Sequence, residues 1–313
     1  MTEGTQLRPV PKQPEVGDGL TIQAVSKLLN VPAPTIRSWE RRYGVPPISR
    51  SSGGHRRFFP DELVMLRQMR DEIAKGRRAS EAAARVKADS EAESPHQSLI
   101  DGFLQAAYRL DPRSADALLE HARVTEGVDV AITGVLLPAM RQIGVWWKTG
   151  RCDVAHEHLA TEAARAWLNR LLYLGPSPWQ PETMILTCGP RDYHTLGLES
   201  IGVLLAHRGF ASRVLGARTP VKSLSAAIHG TGASGVIMVS HLALGRRLAI
   251  EALQSVEHGS ALLFFAGNAF VSPQSRKGVP GTYLGDDLVK ATEMITNALE
   301  SSRGPLPRGS SRR

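Results

Sequence analysis

The chain has 313 residues with a formal net charge of +8, which at the usual domain size of roughly 100–200 residues is enough for two or three domains. Its 42% hydrophobic and 22% charged residues are ordinary for a folded protein, and its two cysteines, Cys152 and Cys188, exclude a disulfide framework or a cysteine-built zinc domain. No apolar run reaches the roughly 20 residues that span a bilayer, and the first 18 residues hold no secretory signal, so the expected location is the cytoplasm, away from membranes.

Residues 1–18 and 302–313 are rich in Pro, Gly, Ser and charge and read as disordered tails, the second one basic. Between them the charge is uneven. Residues 19–88 hold 14 Lys and Arg against 6 Asp and Glu, whereas residues 89–301 hold 18 against 21. A short basic head before a nearly neutral body points to a polyanion partner, because phosphate neutralisation drives nucleic-acid affinity.

Within the head, TIQAVSKLLNV places Ile22, Val25, Leu28 and Leu29 on one helical face. Asn30-Val31-Pro32 makes a turn, and PTIRSWERRYG forms a second helix ended by Gly44. Two short helices about a tight turn make a helix-turn-helix. Arg37, Arg41 and Arg42 lie on the polar side of the second helix, with Ile36 and Trp39 free to pack. SSGGHRRFF then supplies a Gly-Gly turn beside Arg56 and Arg57, suited to a wing laid along a DNA backbone, and Pro60 opens a third helix. Thr21-Ile22, Thr35-Ile36-Arg37, Trp39-Glu40, Arg41-Arg42-Tyr43 and Gly53-Gly54-His55-Arg56-Arg57-Phe58 together resemble the winged-helix DNA-binding domain of the MerR regulators. The resemblance implies that Arg37, Arg41, Arg42 and Tyr43 lie near the groove or its phosphates, and His55, Arg56 and Arg57 on the wing.

Residues 89–96 read as a polar linker and residues 97–175 as four helices, with apolar residues at helical spacing in LIDGFLQAAYRL, ADALLEHA, VAITGVLLPAMRQIGVWW and EHLATEAARAWLNRLLYL. GPSPWQPE breaks that pattern. From 182 to 301 short apolar strands (MILTCG, SRVLGA, GVIMVS, ALLFFAG, TYLG) alternate with helices, which predicts a doubly wound parallel sheet. Ligands on such sheets bind beyond the carboxyl ends of the strands.

The loop after the first strand holds Asp192, His194 and Gly197 in an Asp-x-His-x-x-Gly pattern, and Ser240-His241-Leu242 closes GVIMVS at an equivalent strand end. Together these resemble the cobalamin-binding domain of mutases and methionine synthase. The resemblance implies His194 as lower ligand to cobalt, Asp192 behind its second ring nitrogen, and Gly197, Ser240, Leu242 and Gly267 around the displaced nucleotide tail. Imidazole is a suitable donor to cobalt, and a carboxylate behind it raises its basicity. Ala266-Gly267 departs from the paired glycines common in that family, and the added methyl narrows the tail pocket.

Trp147 precedes Glu157-His158 by a Trp-x9-Glu-His spacing. A four-helix unit with this pattern, set between a MerR head and a cobalamin fold, resembles the adenosylcobalamin-dependent light-responsive repressors of the CarH and LitR type. The likeness implies a repressor, not an enzyme, that binds double-stranded operator DNA as a dimer or tetramer in the dark. Trp147, Glu157 and His158 would then cover the adenosyl face. Lys148 stands where the relatives carry a histidine able to capture cobalt after illumination, leaving His156 and His158 as nearby alternatives. A cobalamin enzyme would need a substrate barrel of about 250 residues, for which there is no room. A MerR-type regulator acting without cobalamin, through protein contacts or another ligand, is the second reading. The two cysteines, 36 positions apart in different predicted domains, fit packing better than thiolate metal sensing.

Overall fold

The computed structural model describes residues 20–47, 56–58, 60–91, 94–148 and 150–302. The expected tail 1–18, all of the expected tail 302–313 except Ser302, which ends the last helix, and the Gly-Gly turn with His55 lie outside the described residues. In the head, α1 (Ile22–Leu29) is capped by Thr21, whose hydroxyl accepts from the Ala24 N–H, and ends at left-handed Asn30. This turn feeds α2 (Ala33–Tyr43), which stops at left-handed Gly44. Glycine there avoids the penalty a Cβ would carry at φ 63°. Leu20 pairs with Phe58 in an antiparallel bridge, and α3 (Pro60–Ala74) and α4 (Ala79–Glu91) close the unit. The last turn of α4 thus enters the stretch expected as linker. Val25, Leu29, Ile36, Trp39, Phe58 and Leu66 form the head's core.

Four helical stretches follow: α5 (Gln97–Tyr108), α6 (Pro112–Glu126), a long one, and α9 (Val154–Leu174). Asp111 caps α6 through the Arg113 and Ser114 N–H groups, with Pro112 at the first helical position. The long stretch starts as α7 (Val128–Val130), widens to a π-helix over Ala131–Leu136 and continues as α8 (Leu137–Lys148). By length and composition Val128–Trp147 could cross a membrane, contrary to the apolar run-length reading. Here, however, its Ile132, Val135, Leu136 and Ile143 pack with Phe103, Leu119 and Trp167 in the bundle core, which accounts for the apolarity.

The third unit consists of β1 (Thr183–Cys188), α10 (Leu196–His207), β2 (Ala211–Gly216), α11 (Val221–Thr231), β3 (Gly235–Val239), α12 (Arg246–Gln254), β4 (Leu262–Ala266), β5 (Thr282–Tyr283) and α13 (Leu288–Ser302). The strands are parallel in the order β2-β1-β3-β4-β5. All five residues of β3 are buried, as expected for a strand covered on both faces. Strand order reverses between β1 and β3, so the carboxyl ends of these two strands form the switch point where doubly wound sheets bind ligands. Cys188 registers with Val239, which sets the loop from Gly189 beside Ser240. Val203 and Leu204 of α10 belong to the bundle core, so the bundle and the sheet share one packed boundary.

Candidate functional site

At the switch point, Asp192 is 1% exposed. Its Oδ1 accepts from the His194 N–H at 3.0 Å and from His194 Nδ1 at 2.7 Å, and its Oδ2 accepts from the His241 N–H. Burial alone would favour the neutral acid, but the hydrogen bonds from His194 and His241 prevail and hold the carboxyl well below the usual carboxylate range. An ionised carboxylate only accepts, so Nδ1 carries the proton, and in the neutral ring the lone pair is then on Nε2. The His194 side chain is 62% exposed. The His241 ring meets His194 edge-on at 5.4 Å, and burial lowers its pKa.

Ser240 follows β3 and is fully buried, yet its hydroxyl has no hydrogen-bond partner among the described residues. Gly267 follows β4 at φ 104°, and a Cβ there would collide with the Ser240 backbone. By contrast, a Cβ on Gly197 would meet no other residue within 4 Å, so protein packing does not demand that glycine. Leu242 is exposed. The Cys188 thiol donates to the His194 carbonyl, and burial, helped by the charges of Asp192 and Glu199, pushes its pKa up to about 12. Burial likewise pushes Cys152 up to about 11, so neither is a thiolate at neutral pH.

In the bundle, Trp147 is exposed at the end of α8, while Trp146 stacks under the Arg151 guanidinium. Asp153 caps α9 and exchanges bonds with His156, whose ring stacks on Tyr108. Glu157 accepts from the Thr161 hydroxyl at 3.0 Å, and His158 Nε2 lies 3.6 Å from Glu157 Oε2. The side chain of Lys148 lies outside the described structure. One link between bundle and sheet escaped the sequence reading. Arg165 of α9 reaches Glu199 and Thr195 at the start of α10, immediately after His194.

On the head, α2 exposes Arg37, Arg41 and Arg42, with Tyr43 half-buried. The first turn of α1 with Arg37, Glu40, Arg56 and Arg57 borders a cleft of about 370 Å³. Arg56 is already engaged: Nε donates to Glu40 at 2.8 Å and Nη2 to Glu62 at 2.9 Å, with the guanidinium over the Phe58 ring. It braces the segment at 56–58 against α2 and α3. These acid partners are 16 and 6 positions away, which is why the sequence shows Arg56 only as one more wing cation.

Comparison with known proteins agrees with this arrangement. A family described as "MerR family regulatory protein" matches residues 21–58, and one described as "B12 binding domain" matches residues 99–172. The chain is 33% identical over 212 residues to the HTH-type transcriptional repressor CarA of Myxococcus xanthus, covering 66% of this chain and 72% of that protein. It is 30% identical over 222 residues to the HTH-type transcriptional repressor CarH of the same organism, covering 66% and 74%. A solved structure, the monomethylamine corrinoid protein of Methanosarcina barkeri, is 14% identical with a TM-score of 0.54. It covers 65% of this chain and 99% of that one, a likeness of fold. Head and body therefore define a MerR-type DNA-binding regulator with a B12-binding domain. The chain belongs to the family of transcriptional repressors represented by CarA and CarH.

Proposed function

We propose that this protein is a light-responsive repressor whose chromophore is adenosylcobalamin, with His194 as the lower cobalt ligand. The observation that carries this reading is the hydrogen bond from His194 to buried Asp192, which orients the ring with its proton on Nδ1 at a sheet switch point. A single imidazole is a poor cage for a bare ion but suits a metal that arrives with its own equatorial ligands. The residues present fit such a group. The orphaned Ser240 hydroxyl, the close Gly267 turn and the unclaimed space beside Gly197 suit a polar nucleotide tail, and exposed Leu242 offers an apolar rim.

When bound, adenosylcobalamin supplies a weak cobalt–carbon bond that light breaks. The chain's own residues do the rest. Asp192 holds the His194 ring in orientation, and Trp147, Glu157 and His158 would cover the adenosyl group and exclude water from it. The winged-helix head at 19–88 would present Arg37, Arg41, Arg42, Tyr43, His55 and Arg57 to double-stranded operator DNA, with Arg56 bracing the segment at 56–58. The linker at 89–96, the cap at 97–175 and the sheet unit at 182–301 then act as one sensor. A dark dimer or tetramer presents several heads, and tethering raises operator affinity through effective concentration. This role is regulatory rather than enzymatic, and it belongs in the cytoplasm.

The test loads purified protein with adenosylcobalamin in darkness, removes the excess and records absorbance, size and binding to its own promoter DNA before and after green light. Retained colour, with a smaller particle and weaker DNA binding after light, is expected. Colourless protein would overturn the reading and favour a regulator working without cobalamin. His194→Ala protein with a normal spectrum and response would remove the ligand assignment.

A further inference from the structure

We propose that Arg165 is a positioning residue that keys the cap helix to the His194 loop, an inference that rests on His194 being the axial ligand. Arg165 projects from α9, with Nε 3.2 Å from Glu199 Oε1 and Nη2 3.3 Å from the Thr195 hydroxyl. Its remaining amine is paired with Glu162. Both inner partners belong to the start of α10. Thr195 is the N-cap residue of that helix, and threonine there ordinarily caps through its own hydroxyl. Its side chain makes no capping bond, and its oxygen accepts from Arg165 instead. The Glu199 side chain is 8% exposed, and its second oxygen has no partner among the described residues. That carboxylate therefore depends on Arg165, because a buried charge left without its partner is strongly disfavoured.

His194 thus sits between two anchors. On one side Asp192 orients the ring; on the other Arg165 fixes the next residue, Thr195, at the entrance to α10. Like Arg165, two of the proposed upper-face residues, Glu157 and His158, lie on α9, while Trp147 lies at the end of α8. His158 precedes Arg165 by seven positions, two turns along one stripe of α9, or roughly 10 Å along the axis. Arg165 therefore sets how far the upper-face stripe stands from the lower-ligand loop. A planar fork is needed to serve Glu199 and Thr195 together, which a lysine cannot reproduce.

The experiment compares full-length wild-type protein with Arg165→Gln, Arg165→Lys and His194→Ala. Visible spectra and titration with adenosylcobalamin in the dark are read alongside amide exchange at residues 195–199 in protein without cobalamin. Arg165→Gln is expected to weaken cobalamin binding about 10- to 100-fold, as loss of an outer-shell partner does. It should also reduce the histidine-ligated fraction of the spectrum and speed exchange at 195–199, with Arg165→Lys in between. Wild-type affinity, spectrum and exchange in Arg165→Gln would overturn the proposal. Should Arg165→Gln not fold, wild-type exchange and spectrum in Arg165→Lys would overturn it instead. Should wild-type protein take up no cobalamin, or His194→Ala match it, the ligand reading falls while exchange at 195–199 still decides the Arg165 contact.

Discussion

A buried carboxylate surrounded by apolar strands is ordinarily pushed toward its neutral form, and Asp192 escapes that only through the three N–H groups aimed at it. The same logic separates the arginines of the head. Arg37 is exposed on α2, whereas Arg56 already faces Glu40 and Glu62. Counterions are released from DNA only by protein charges that are free to meet phosphates. Arg37→Ala should therefore lower the slope of log affinity against log salt by about 1. Arg56→Ala should leave that slope nearly unchanged and instead lower the thermal stability of the head. Salt titrations of DNA binding check this, and equal slope changes for the two variants would contradict it.

Glu72 joins two elements of the head. From the end of α3 its carboxylate meets Lys75 Nζ at 2.8 Å and Arg77 Nε at 2.5 Å, with Arg85 of α4 at 3.9 Å. Burial works against the charged form, but the bonds from Lys75 and then Arg77 hold its pKa below the ordinary value. With the folded pKa depressed, the stabilisation is complete above the unfolded pKa of about 4.3 and is lost as pH falls through the folded value. Melting temperatures should fall more steeply between about pH 5 and 3 for wild type than for Glu72→Gln, and parallel curves would refute this. Elements of this kind also mark what could be read in advance. Helix periods, Gly44 and the strand–helix alternation are local patterns, so the helix-turn-helix and the parallel sheet were legible. Asp192 and His194 are two residues apart, and that pairing too was visible as a motif. Arg165 and Glu199 are 34 positions apart on amphipathic helices where any charge looks like a solvated one. The π-helical stretch at Ala131–Leu136 keeps the helical spacing of apolar residues, so periodicity cannot distinguish it from an α-helix.

Across the whole molecule, the head is not merely tethered. Val145 of α8 is 2% exposed and packs into the core of the head, two residues before Trp147. A second contact links head and sheet unit: Lys75 of the head lies 2.5 Å from Asp286. The last turn of α8 thus touches the DNA-binding unit and carries the proposed upper-face tryptophan. The two contacts differ in weight. Asp286 is largely exposed, and an exposed ion pair contributes at most about 1 kcal/mol. Truncating Val145 to alanine removes buried methyl groups and leaves a cavity, at a cost of about 2 kcal/mol. Val145→Ala should therefore release the head, with faster amide exchange along α3 while α5 and α6 stay protected, and Lys75→Ala should do so much less. The opposite ranking would mean that charge rather than apolar packing docks the head, and the last turn of α8 would then lose its standing as the mechanical link between the cap and the DNA-binding unit.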